Sequence, residues 1–110
     1  MTTNTAWLLL IGSGLFETVW AVGLKYTDGF SRLGPTLGVL AAMAVSVYGL
    51  GMAVKVLPVG TAYAVWTGIG AVGTALLGVV LFDEPRTAAR LACIALIVAG
   101  IVGLKLVSDA

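Results

Sequence analysis

One carboxylate stands where an apolar environment makes it expensive. Glu17 has eleven residues before it, Ala6 to Phe16, and seven after it, Thr18 to Leu24, without another charge among them. An ionised carboxylate in the middle of a membrane-length segment costs several kcal/mol, or it takes up a proton instead. The nearest cation along the chain, Lys25, is two turns on and rotated by about 80° at ~100° per residue, so Glu17 has no local counter-ion. A group in this position can hold a proton or a cation and tolerates both poorly. That competition couples opposite fluxes, provided the pocket changes access only when occupied. A protonated side chain that merely hydrogen-bonds a neighbouring helix is the structural alternative, but intramembrane acids are read as functional first.

Ser13, Glu17 and Trp20 lie at i−4, i and i+3 and share one helix face. Tyr63 and Trp66, three apart, share another. Two roles are open to these aromatics. They could belong to an interfacial belt, to which Trp7 is assigned. They could instead form a cation box, with ring faces attracting the cation and the Trp N–H and Tyr O–H orienting the carboxylate. Gly38, Ala42 and Ser46 recur every four residues, a small-residue ridge for close helix contact. The Ser46 hydroxyl can donate to Glu17 or to its own backbone. Gly68 and Gly70 flank Ile69 and offer a bending point in mid-span or close packing against a neighbour. Ala92, Ala95, Ala99 and Gly103 form a further small stripe with no ionisable residue before Lys105, which suits a dimer contact. Arg86, Arg90 and Lys105 are expected to snorkel to lipid headgroups.

The elements that position these groups follow from charge punctuation. Hydrophobic residues make up 60% of the 110, and charged residues only 10%, with a mean hydropathy of +1.11. A water-soluble domain carries about 25% charged residues, so the bilayer is the natural solvent here. Four apolar segments, about 6–24, 33–54, 59–82 and 87–107, are separated by Lys25–Arg32, by Lys55 to Pro58, and by Asp83 to Arg86. Each is near the ~20 residues that cross a ~30 Å hydrocarbon core. Ten-residue alternating segments, the mark of a closed barrel, are missing. The expected fold is an all-α membrane protein with four transmembrane helices in a single domain, 1–110. The first segment follows Met1 to Thr5, which hold no Lys or Arg, and it is too long for a signal core, so it is expected in the mature protein.

Composition also excludes. There is no histidine and one cysteine, Cys93, so neither a metal site nor an intrachain disulfide is expected, and no cofactor. No nucleophile–base set can be assembled, which argues against an enzyme. A net charge of +1 gives no reason to expect a nucleic-acid partner.

Four spans place Lys55 and Lys105 toward one side, and Lys25, Arg32, Arg86 and Arg90 toward the other. That bias is weak, and a chain so balanced could insert both ways round. Four short helices can hardly enclose a pathway that opens alternately to two sides. Transporters commonly solve this with inverted repeats about a midplane site, and the two halves of this chain show no repeat. A second copy inserted upside down would supply one. A parallel dimer or higher oligomer is the alternative. Two Glu17 side chains facing one pocket would titrate as a coupled pair, holding at most two protons per cycle.

Several stretches together resemble the small multidrug resistance family over essentially the whole chain. They are Phe16 to Trp20 (FETVW), Gly23 to Tyr26 (GLKY), Gly29 to Leu33 (GFSRL), Pro58 to Gly70 (PVGTAYAVWTGIG) and Ala99–Gly100. The resemblance implies an antiparallel, dual-topology homodimer in a prokaryotic inner membrane. It implies exchange of a small organic cation for protons through Glu17, with Gly100 joining the dimer contact. Drug-exporting members typically have glycine three residues after the glutamate. Trp20 at that position resembles the guanidinium exporter branch, where residues matching Trp20, Ser46, Tyr63 and Trp66 line or support the site. Cys93 departs from the glycine that drug exporters tend to place in the fourth helix, so the dimer contact is expected to pack differently. Proton-coupled export of guanidinium and small guanidinyl cations is therefore the expectation, with export of hydrophobic quaternary ammonium compounds as the alternative. A scaffold that transports nothing is a third reading, in which Glu17 would be dispensable.

Overall fold

Threonine hydroxyls cap two of the helix starts, a proline precedes a third, and one helix ends on a left-handed residue. In the computed structural model, which describes residues 1–108, α1 spans Thr3–Tyr26, α2 Leu33–Ala53, α3 Val59–Phe82 and α4 Ala88–Val107. The last two residues of the 1–110 domain lie outside the described residues. α1 begins before Ala6 because the Thr2 hydroxyl accepts the Thr5 N–H at 3.1 Å and supplies a cap. It ends where Thr27, turned inward, donates its hydroxyl to the Leu24 carbonyl at 2.7 Å. The following turn runs through Asp28, Gly29 and Phe30, all with positive φ. Only Gly29 takes that conformation without steric cost. Pro35 sits in the first turn of α2, where its missing N–H is no loss. Pro58 precedes α3, and Asp83, at φ 52°, ends it by donating its N–H to Gly78. Thr87 caps α4 by accepting the Arg90 N–H at 3.2 Å, so it precedes the helix and does not open it.

All four helices are long and apolar enough to cross a membrane. Lipid tails are as apolar as leucine, so what joins such helices is close van der Waals contact through small residues. α1 provides it on two sides, packing against α2 and α3. A Cβ on Gly49 of α2 would lie 2.6 Å from Ser13 Cβ, and one on Gly14 of α1 would lie 2.9 Å from Ile69 of α3. The face of α2 turned inward is Val39, Ala42, Ser46, Gly49 and Ala53. The ridge expected through Gly38 is therefore shifted by one residue there, and Gly38 has open space beside it. A core of Ala6, Trp7, Leu10, Ala53, Leu57, Ala62, Val65 and Trp66 seals one end of this three-helix unit.

Trp7 is only 5% exposed within that core, so it is not the interfacial anchor its position suggested. Lys105 lies 5.0 Å over the Trp7 ring in a cation–π contact. Among the described residues α4 has no buried residue; its backbone packs against α3, and Lys105 on Trp7 is its contact with α1. Ala92, Ala95, Ala99 and Gly100 are exposed, and Gly103 is half-buried. The result is a slab 17 Å thick, 42 by 35 Å in its other dimensions.

Candidate functional site

Where α1 and α3 part, beyond the sealed end, a lateral cleft of about 550 Å³ opens, bounded by the start of α4. Glu17 and Trp20 line it from α1, and Thr67, Gly70, Thr74 and Gly78 from α3. Lys25, Phe82, Glu84 and Arg90 lie around its outer part. The register of α1 on α3 is set by Thr18. Its hydroxyl donates to the Gly70 carbonyl at 3.4 Å, and a Cβ on Gly73 would collide with it. This brings the Glu17 carboxylate against Gly70 so closely that a Cβ there would strike it. Glycine at position 70 is thus a requirement of the acid's seat. α3 runs unbroken through Gly68 and Gly70, and Gly68 takes Ile101 of α4 at 2.9 Å from its would-be Cβ.

Three polar side-chain atoms in this cleft are buried without a hydrogen-bond partner among the described residues: Glu17 Oε1, Trp20 Nε1 and Thr74 Oγ1. A buried group left unpaired costs about 1–3 kcal/mol. A carboxylate oxygen, an indole N–H and a hydroxyl in one cleft make an acceptor with two orienting dipoles. Such a set can hold a proton on the acid, or a small cation against it.

Of the other expected site residues, Ser13, Ser46 and Trp66 belong to a separate chain of hydrogen bonds. Trp66 donates its indole N–H to Ser46 Oγ at 3.1 Å. Ser46, fully buried, donates to the Ser13 carbonyl at 2.7 Å, and the Ser13 hydroxyl donates to Leu10 at 2.9 Å. Neither partner foreseen for Ser46, Glu17 or its own backbone, receives its hydrogen. The Trp66 N–H likewise does not reach the carboxylate. Tyr63 is 56% exposed, its ring centroid 5.8 Å from that of Trp66. Within one chain, then, Trp20 shares the cleft with Glu17, while Ser13, Ser46, Tyr63 and Trp66 do not line it. Arg90 is bound to Glu84 at 2.8 Å, a partner the snorkelling expectation did not provide.

Thr67, Thr74 and Gly78 were not singled out from the sequence. Their signal was present as the spacing of Thr67, Gly70, Thr74 and Gly78, three and four apart along one face of α3.

A multi-pass membrane protein with an unpaired acid, Glu17, seated within a membrane-spanning helix at a sideways-open cleft has the layout of a small cation transporter. The sequence model described as Small Multidrug Resistance protein matches residues 5–97, and the chain belongs to that family. It is 60% identical over 103 residues to a protein named guanidinium exporter from Yersinia pestis, covering 94% of this chain and 99% of the relative. Proteins of the same name from Citrobacter freundii and Klebsiella oxytoca are 58% identical over 101 residues, covering 92% of this chain and 96% of each. The chain is a transporter, not an enzyme, and a multi-pass protein of the inner membrane.

Proposed function

We propose that this protein exports guanidinium and small guanidinyl cations in exchange for protons, with both ligands competing for Glu17. The observation that carries this reading is the Glu17 carboxylate seated on Gly70, unpaired, with the Trp20 N–H unpaired in the same cleft. A guanidinium ion is planar, and its paired N–H groups match the two oxygens of a carboxylate. A quaternary ammonium ion has no N–H to offer and needs more width than a cleft narrowed by an indole provides. The name shared by the relatives points the same way.

The working unit is an antiparallel homodimer. The cleft is open at its side, and α4 presents Ala92, Ala95, Ala99 and Gly100 unburied, with Gly103 half-buried beside them, a small-residue face for the second copy. Inversion of that copy supplies the repeat that alternating access requires. The Trp66–Ser46–Ser13 chain supports the site by holding the rotation of α1, and Tyr63 is presented toward the partner. α3 flexes about Gly68 and Gly70 as access changes.

Purified protein in liposomes with an internal pH dye tests the reading. A guanidinium gradient should drive proton movement, and Glu17→Gln should abolish it while leaving the dimer intact by size-exclusion chromatography. Proton movement driven by a tetraalkylammonium ion but not by guanidinium would reassign the substrate. Undiminished exchange by the Gln variant would remove the mechanism.

A further inference from the structure

The outer end of the cleft repeats the chemistry of its inner end, with the chain's own cations already in place. At the inner end are a carboxylate and an indole, Glu17 and Trp20. At the outer end are a carboxylate and a phenyl ring, Glu84 and Phe82, and both line the same cleft. Glu84 holds the Arg90 guanidinium, Nη2 to Oε1, at 2.8 Å. Lys25 stands 4.9 Å over the centre of the Phe82 ring. The Glu84 carboxylate is pressed onto Gly78 so closely that a Cβ would strike it, just as Glu17 is pressed onto Gly70. Gly70 and Gly78 are eight residues apart on α3, about 12 Å at ~1.5 Å per residue. Two acids, each seated on a glycine of one helix, thus mark two stations along one cleft.

Only the outer acid has a tethered partner, and that partner carries the headgroup of the proposed substrate. The Arg90 and Glu84 side chains are 32% and 40% exposed. Pairs this open to solvent are weak, because water and salt screen them and two long side chains must be held still. A free guanidinium ion offers Glu84 the same planar fork without that cost to Arg90.

We propose that Glu84 is a second, outer binding site for guanidinium-type cations, with Arg90 as its resident competitor. The arriving ion displaces the Arg90 guanidinium from Glu84 and passes inward to Glu17. The inference rests on the guanidinium reading of Glu17 and adds to it a residue that governs how readily the ion is admitted.

A pair that merely staples the α3–α4 connection would lose function alike from either side. A competitor and its site should respond in opposite directions. In guanidinium-driven proton exchange by liposomes, Arg90→Gln should lower KM by about two- to fivefold, the range an exposed ion pair supports. Glu84→Gln should raise KM by about the same factor, with the effect on KM and not on kcat. The double variant should match Glu84→Gln alone, since a competitor has no role once its site is gone. Arg90→Lys, which keeps the charge but loses the fork, should fall between wild type and Arg90→Gln, and serves where the Gln variant does not fold. Higher or unchanged KM in Arg90→Gln, or additive effects in the double variant, would overturn the outer site while leaving Glu17 as it stands. Absence of guanidinium-driven exchange in the wild type would remove both readings.

Discussion

The two halves of the α1–α3 seam handle polar atoms in opposite ways. Toward the start of α1, Ala6, Trp7, Leu10, Val65 and Trp66 close the seam, and its hydroxyls run into a finished chain from Trp66 through Ser46 and Ser13 to Leu10. One turn beyond, the seam opens, and Glu17, Trp20 and Thr74 are left with buried atoms that no group among the described residues satisfies. Among the described residues, Trp7 Nε1 is the one buried side-chain atom left unpaired in the closed half, and its ring is covered by Lys105. Folding alone would favour pairing every buried polar atom. Where pairing stops, the unpaired atoms converge on a cleft of about 550 Å³, and that is where a ligand completes the set.

The contrast can be broken most severely at the seat of the acid. Gly70→Ala places a methyl against the Glu17 carboxylate, and what it meets is the far end of a flexible side chain, so the helices stay packed while the acid moves. Displacement of a reacting group by about 1 Å costs on the order of 100-fold, and a loss of that size is expected in guanidinium exchange with unfolding unchanged. In the closed half the outcome should invert. Gly49→Ala would set its methyl 2.6 Å from Ser13 Cβ, an atom near the backbone that cannot swing aside. A stability loss of about 1–3 kcal/mol, read from unfolding in detergent, is the expected result.

Smaller effects sharpen the same division. Ser46→Ala strands the Trp66 N–H, and hydrogen bonds between membrane helices average about 0.6 kcal/mol and reach ~1.7 kcal/mol. Its cost should appear in stability first and in exchange second. Thr74→Val removes a hydroxyl that has no partner among the described residues, so stability should be unchanged or slightly raised. If that hydroxyl serves bound ligand, guanidinium KM should rise by about two- to tenfold, the worth of one hydrogen bond of ~0.5–1.5 kcal/mol. An unchanged KM would take Thr74 out of the site.

Much of the fold could be read from the residues because the bilayer imposes a length and forbids unpaired backbone. Charges at Lys25, Arg32, Lys55, Asp83 and Arg86 mark the ends of spans, and each apolar segment they bound is long enough to cross. Glu17 drew attention by the same reasoning, as an acid with no charge near it on its own helix. Its neighbours across helices could not be read in that way. Ser46 was placed on the inner face of α2, yet whether it met Glu17 or the Ser13 carbonyl depended on the rotation of α2 about its axis. That rotation was decided by Gly49 on Ser13, a contact between different helices.

From sequence alone come the four spans, the lone acid within the first of them, and the absence of histidine, which leaves a carboxylate, a Lys, a Tyr or Cys93 for any proton chemistry. These follow from transfer energies, which act on each segment separately. The tertiary structure alone decided that Glu17 rests on Gly70, that Trp66 serves Ser46, and that Arg90 occupies Glu84. Those pairings depend on the angle and register at which helices meet, and in lipid these are set by where small residues allow backbones to approach.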